Sequence, residues 1–312
     1  MAVISVRGLE VHFGPVQILR GVGFDLREGE TLGVVGESGC GKSMTGLALM
    51  GMVPRPGRVA GSIQFEGREL VGQSEKDWRA LRGSKLAVVM QDPFSSLNPV
   101  MRVGDQVAEV FQIHERMSHR DAWKKAVEMI DHVGIPDPER SARKYPHEMS
   151  GGQRQRVVIA CAFAGKPKAL IADEPTTALD VTIQAQILRL MQDLQKEYGT
   201  AILLISHDIG VIGSVSQRVA VFYAGSVVEE GPAHSVLGSP AHPYTKALLA
   251  AVPNPAVERL ANIPGQPPRF DEPIVGCPFA PRCSVRYEAC DKAPALTATS
   301  DGHLAACWRV GN

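Results

Sequence analysis

The stretch Gly36-Glu37-Ser38-Gly39-Cys40-Gly41-Lys42-Ser43 has the residue types and spacing to hold a chain of phosphate oxygens. It fits G-x-x-x-x-G-K-[ST], in which glycines let the backbone curl until successive N–H groups point inward at an anion. Lys42 supplies charge for the β- and γ-phosphates, and the Ser43 hydroxyl supplies a ligand for Mg²⁺. The apolar run Thr31–Val35 reads as a strand entering the loop. Met44–Met50 reads as the helix leaving it, whose N-terminal end adds positive potential. A glycine-rich turn with an incidental lysine would need neither flank. Cys40 reads as small filler rather than a ligand. The helix start and Lys42 beside it predict a lowered thiol pKa and nucleotide-protected alkylation.

A second group follows at Ala169-Leu170-Ile171-Ala172-Asp173-Glu174. Four apolar residues form a buried strand with two carboxylates at its C-terminal end, the end at which ligands bind in parallel α/β sheets. Asp173 fits a Mg²⁺ ligand, direct or through water, and Glu174 is placed to polarise an attacking water. An acidic strand-to-loop turn is common by itself; beside a full phosphate loop it is the weaker explanation.

The third group is Cys277, Cys283, Cys290 and Cys307, set apart from the isolated Cys40 and Cys161. In a reducing compartment such clustering favours a metal over disulfides. The spacing C-x₅-C-x₆-C-x₁₆-C is looser than that of typical zinc fingers. Four thiolates suit either iron–sulfur or zinc, with free thiols or disulfides as a third choice.

The elements that must position these groups are legible in outline. With 312 residues, 44% hydrophobic and 21% charged, the chain is long enough for one large domain and a small appendage. Short apolar runs such as Leu86–Met90, Ala169–Ala172 and Ala201–Ile205 predict parallel strands, since strands buried on both faces read as continuous apolar stretches. Ile183, Ile187, Leu190, Met191 and Leu194 mark an amphipathic helix, giving a strand–helix–strand crossover. Val107, Val110 and Phe111, then Trp123, Ala126, Val127 and Ile130, recur at helical spacing and predict a helical insertion. A hairpin is expected around Ala224-Gly225. Beyond that, prolines from Pro232 to Pro268, Pro253 and Pro255 among them, predict a linker and a small C-terminal module with little core of its own. The expected class is α/β, a P-loop NTPase cassette. Its organisation is 1–235 for the ATPase domain, with a helical subdomain at about 95–165, and 236–312 for the C-terminal extension.

Net charge is zero and no basic run exists, which argues against a chain that lives on nucleic acid. No apolar run approaches the length of a membrane-spanning helix, and the opening MAVISVRGLE lacks the pattern of a signal peptide. A role at a membrane would come through partners.

Met149-Ser150-Gly151-Gly152-Gln153 decides the family. It resembles the signature of ATP-binding cassette (ABC) proteins, with Met in place of Leu. Further motifs follow in family order over roughly residues 1–250. Gln91 resembles the Q-loop glutamine, Thr177-Ala178-Leu179-Asp180 the D-loop and His207 the switch histidine. Phe13 stands where the family stacks an aromatic ring on adenine. The resemblance implies an ATPase in which Glu174, His207, Lys42 and Gln91 act in catalysis, with Gln91 joining Ser43 and Asp173 around Mg²⁺. The nucleotide would be held by Phe13, Gly36, Ser38, Gly39, Cys40, Gly41, Lys42, Ser43, Met44, Gln91 and Asp173. From the opposite subunit come Ser150, Gly151, Gly152, Gln153 and Asp180, the signature offering N–H groups and a helix N-terminus to the γ-phosphate. One phosphate loop and one signature per chain imply a twofold dimer, with an identical or a paralogous subunit.

Within that family, Gln91-Asp92-Pro93-Phe94-Ser95-Ser96-Leu97-Asn98-Pro99, Tyr145-Pro146-His147 and His242-Pro243-Tyr244-Thr245 are similar to the ATPase subunits of bacterial dipeptide and oligopeptide importers. So is the Cys277–Cys307 tail, and there the resemblance implies a [4Fe–4S] cluster. It further implies two transmembrane permease subunits, an extracytoplasmic substrate-binding protein engaged indirectly, and a peripheral place on the cytoplasmic face of the membrane. Nickel or glutathione import is the alternative. A soluble cassette protein acting on nucleic acid or the ribosome is less favoured, because such chains commonly carry two cassettes or long coiled coils.

Overall fold

The computed structural model describes residues 1–177, 179–252, 262–300 and 302–310. Ala178 of the expected D-loop, and Pro253 and Pro255 of the expected linker, lie outside the described residues. In chain order the elements begin with strands β1 (Ala2–Phe13), β2 (Val16–Arg27) and β3 (Thr31–Val35), then helix α1 (Lys42–Leu49). Strands β4 (Arg58–Phe65) and β5 (Arg68–Glu69), helix α2 (Glu75–Leu81) and strand β6 (Leu86–Val89) follow. Helices α3 (Pro93–Ser96), α4 (Val103–Glu115), α5 (His119–His132), α6 (Pro138–Ala142) and α7 (Gly151–Ala164) come next. The alternation then resumes with β7 (Ala169–Asp173), α8 (Val181–Tyr198), β8 (Ala201–Ile205), α9 (Ile209–Val215), β9 (Arg218–Tyr223) and β10 (Ser226–Pro232). Two helices, α10 (Ala233–Gly238) and α11 (Pro243–Ala250), and two strands, β11 (Thr297–Ser300) and β12 (His303–Ala305), complete the set.

These elements divide into two compact units. The first comprises Met1, Arg27–Glu30 and Gln73–Leu203. Its strands β6 and β7 run parallel, with Leu86 opposite Ala169 and Val89 opposite Ala172. Every residue of β7 is buried, which is why it reads as a continuous apolar run. The helices α4 and α5 bury the predicted Val107 and Phe111 on one and Ala126 and Ile130 on the other, together with Val103, Ala108, Ala122 and Met129, while the predicted Val110, Trp123 and Val127 are only half-buried. Ser118 starts α5 by accepting the Asp121 N–H, a cap of the S-x-x-D type. Helix α8 buries Ile187, Leu188, Met191 and Leu194 and stops at Gly199, which is left-handed. Among the described residues no helix is long and apolar enough to cross a membrane.

The second unit comprises Ala2–Leu26, Thr31–Gly72 and Leu204–Asn312. Its antiparallel sheet runs β2-β1-β4-β5, while β11-β12-β10-β9-β3 run side by side elsewhere in the unit. Strand β3, buried throughout, pairs in parallel with β9, Val35 lying opposite Val221. The expected hairpin is present: β9 and β10 are joined through Ala224 and Gly225, both at positive φ, the geometry of a two-residue turn that matches strand twist.

The C-terminal stretch is more integrated than its proline content suggests. Strand β12 pairs with β10 and carries β11 on its other edge. The ring of Tyr223 on β9 packs 4.6 Å from Tyr244 and 5.4 Å from Phe279. Glu229, fully buried in β10, accepts the N–H groups of Ala241 at 2.7 Å and His242 at 3.0 Å, and contacts His303 Nε2 at 2.7 Å. A carboxylate out of water is tolerated only with such partners, and here they come from the tail.

Candidate functional site

In the second unit, β3 delivers the chain into the phosphate loop, and Gly41, left-handed at φ 102°, turns it into α1. Gly36 is the tightest point. Its φ is 154°, and a Cβ there would stand 2.3 Å from the Phe222 carbonyl oxygen and 2.8 Å from Cys40 Sγ, so only glycine fits. Lys42 is buried. Its Nζ donates to the carbonyl oxygens of Gly36 at 2.8 Å and Glu37 at 3.0 Å. Ser38, Gly39 and Ser43 are exposed along the loop, and Met44 is half-buried in the first turn of α1. The expected reactivity of Cys40 is corrected: the side chain is buried, and burial pushes the thiol pKa up against the opposing pull of Lys42.

Two further predicted residues lie in this unit. Phe13 closes β1 half-exposed, its ring against Gly57, where an added Cβ would meet Phe13 Cζ at 2.8 Å. His207 follows β8 and is exposed. The backbone just after it is fixed by Asp208, which accepts the Gly210 and Val211 N–H groups and so caps α9.

In the first unit, Asp173 is the buried last residue of β7. Glu174 follows at φ 47°, a left-handed backbone that is uncommon for a non-glycine residue. Its Oε2 accepts from Gln91 Nε2 at 2.9 Å and from Thr177 Oγ1 at 2.9 Å. The fold thus brings two predicted catalytic residues into direct contact. It adds Thr177 as a holder, a role that sequence reasoning missed although the three-residue spacing from Glu174 is that of a tight turn.

The signature belongs to the same unit. Ser150 caps α7, accepting the Gln153 N–H at 3.3 Å, while Gln153 Oε1 accepts the Ser150 N–H at 3.1 Å, a reciprocal capping box. Gly151 and Gly152 form the first turn, and a Cβ on Gly152 would meet Ile183 Cγ2 of α8 at 2.8 Å. Asp180 caps α8 by accepting the Ile183 N–H at 2.9 Å. Arg154 ties the signature to the segment after Gln91: it donates to the Met149 carbonyl at 2.6 Å and lies 3.7 Å over the ring of Phe94.

The four tail cysteines line one small pocket together with His242, Phe279, Trp308 and neighbours. The expected [4Fe–4S] cluster, and zinc as its substitute, are nevertheless corrected. Among the described residues no group of three or more His, Cys, Asp or Glu is placed to hold a metal ion. The cysteines carry no disulfide. Hydrogen bonds hold this region instead: Cys277 N–H to the Cys290 carbonyl at 2.9 Å, Tyr287 Oη to the Trp308 carbonyl at 3.0 Å, and Trp308 Nε1 to the Lys292 carbonyl at 2.9 Å.

Comparison with known proteins identifies the family. Residues 19–177 match the ABC transporter family, and residues 228–290 match the oligopeptide/dipeptide transporter C-terminal region. A probable peptide ABC transporter ATP-binding protein of Sinorhizobium fredii is 50% identical, over 98% of this chain and 94% of its own length. The oligopeptide transport ATP-binding protein OppD of Salmonella typhimurium is 47% identical, over 98% and 93%. The dipeptide transport ATP-binding protein DppD of Bacillus subtilis is 47% identical, over 98% and 94%. These names speak of ATP binding and transport, and none speaks of an iron–sulfur protein. Among solved structures, a dimeric ATP-binding cassette bound to ADP and phosphate aligns with TM-score 0.65 and 26% identity, over 74% of this chain and 98% of that one. With an α/β ABC ATPase cassette fold and relatives this similar along nearly its whole length, the chain belongs to the ATP-binding subunits of the ABC transporter family, in the branch that carries the oligopeptide/dipeptide transporter C-terminal region.

Proposed function

We propose that this chain binds and hydrolyses ATP to energise the import of peptides across the cytoplasmic membrane. The observation that carries the reading is the likeness to oligopeptide and dipeptide transport ATP-binding proteins, which runs through the cassette and the C-terminal region alike. In this reading residues 1–235 are the ATPase domain, with the helices between about 95 and 165 as its helical subdomain, and 236–312 are the C-terminal extension.

The chemistry follows from the residues. Gly36, Ser38, Gly39, Cys40, Gly41, Lys42, Ser43 and Met44 form the phosphate cradle, and the fit at Gly36, where a Cβ would strike the Phe222 carbonyl, supports a backbone-lined site. Lys42 exchanges its loop carbonyls for phosphate oxygens, and Phe13 stacks on the base. Ser43, Asp173 and Gln91 are the residues to hold Mg²⁺, which would supply positive charge to the β,γ-oxygens. Glu174, aimed by Gln91 and Thr177, accepts the proton of the attacking water, and His207 stabilises charge developing on the γ-phosphate. Ser150, Gly151, Gly152, Gln153 and Asp180 serve the site of a second subunit, identical or paralogous, so that ATP closes the pair and hydrolysis opens it.

Two permease subunits would anchor the chain to the cytoplasmic face of the membrane, and an extracytoplasmic binding protein would deliver cargo to them. The exposed apolar side chains Phe94, Val100 and Ile113, near the Gln91 segment and on α4, support a protein-docking surface there.

The deciding experiment is uptake in cells lacking the gene, restored with wild type or with Glu174→Gln, using labelled dipeptide, longer peptide, nickel and glutathione. Peptide uptake rescued only by wild type is expected. Rescue of nickel or glutathione uptake instead would replace the cargo, and no change in any uptake would sink the transport reading.

A further inference from the structure

Glu37 places a carboxylate inside a loop whose task is to receive a polyanion. Left unpaired, it would compete for Lys42 and repel the incoming phosphates. The structure shows what prevents this. Arg282, supplied by the C-terminal region, grips the Glu37 carboxylate with both terminal nitrogens, at 2.6 Å to Oε2 and 2.9 Å to Oε1. Its side chain is 4% exposed and that of Glu37 25%, so water screens the guanidinium poorly and the carboxylate in part. All three of its nitrogens are used, since Nε donates to the Pro264 carbonyl at 2.8 Å and one terminal nitrogen also reaches Tyr223 Oη at 3.2 Å. A bidentate fork fixed in this way sets direction as well as charge. The backbone of Glu37 is held from the same region: its N–H donates to Tyr244 Oη at 2.9 Å, while its carbonyl accepts from Lys42.

We infer that Arg282 is a positioning residue for nucleotide binding: it neutralises and draws aside the Glu37 carboxylate, leaving Lys42 and the loop amides to the phosphates. The C-terminal region is thereby part of the ATP site's electrostatics. The inference rests on the reading of Gly36–Ser43 as the phosphate loop, and the experiment separates the two.

MgATP binding to the purified full chain is measured by titration calorimetry for wild type, Lys42→Ala, Arg282→Ala, Arg282→Lys, Glu37→Gln and the double variant Arg282→Ala/Glu37→Gln. Arg282→Ala is expected to bind ATP roughly fivefold to tenfold more weakly, the scale of one poorly screened like charge several ångström from the phosphates. Arg282→Lys, which keeps the charge and loses the fork, is expected to show a smaller loss. The double variant, with neither charge, should recover most of the affinity. A merely structural arginine would not give that rescue. Wild-type affinity in Arg282→Ala, or a double variant as weak as Arg282→Ala, overturns the inference. Should Arg282→Ala not fold, wild-type affinity in Arg282→Lys overturns it equally. Undiminished binding by Lys42→Ala would instead sink the phosphate-loop reading.

Discussion

The phosphate loop and the carboxylate end of β7 build their geometry by different means. In the loop the backbone does the positioning: the conformations of Gly36 and Gly41, and carbonyls from the loop itself that hold Lys42. At Glu174 the side chains do it, through Gln91 and Thr177, and Gln91 lies 83 residues away in sequence. A backbone-built site is encoded in contiguous residues and tolerates almost no change at its tight points. A side-chain-built site is assembled from separate segments and can be loosened one hydrogen bond at a time.

That contrast sets the order of expected effects. Glu174→Gln should lower ATP turnover by roughly 10²–10⁴-fold while leaving ATP binding in place, since a positioned general base is lost and the cradle is not. Rapid turnover by this variant would refute the role of Glu174. Gly36→Ala should instead strike binding and stability together. A Cβ 2.3 Å from a backbone oxygen forces the loop or β9 to move, at a cost of about 1–3 kcal/mol in thermal or denaturant unfolding. An Ala variant with unchanged ATP affinity and unfolding midpoint would break the backbone half of the comparison. Gln91→Ala and Thr177→Val should each cost about tenfold or less in turnover, short of the ~10²-fold that a full ångström of misplacement brings. Their combination should approach the loss seen with Glu174→Gln if the two side chains together aim the carboxylate. Additive small losses that stop well short would leave Glu174 held mainly by its backbone.

The same distinction explains what was legible beforehand. The strand–loop–helix at Thr31–Met50 and the apolar strand before Asp173 depend on local pattern, and the structure carries them as expected; the helical stripes are carried in part, with Val110, Trp123 and Val127 half-buried. Three things depended on burial or on distant partners and were not legible. Cys40 looked activated by Lys42, but its burial outweighs that charge. The tail cysteines looked like a metal set, yet the spacing of ligand types says nothing of whether they converge in ligating geometry. The proline-rich tail looked like an appendage, yet β12 pairs with β10 and the tail satisfies the buried Glu229.

The sequence by itself determined the family and its ATPase character, because the phosphate-loop pattern, the strand-end carboxylates and the signature are each runs of residues adjacent in the chain. Tertiary structure alone decided which distant side chains meet there, Gln91 on the Glu174 carboxylate and Arg282 on that of Glu37. The reason is physical: a hydrogen bond or ion pair between segments exists only once packing has brought them together and removed the water that would otherwise take its place.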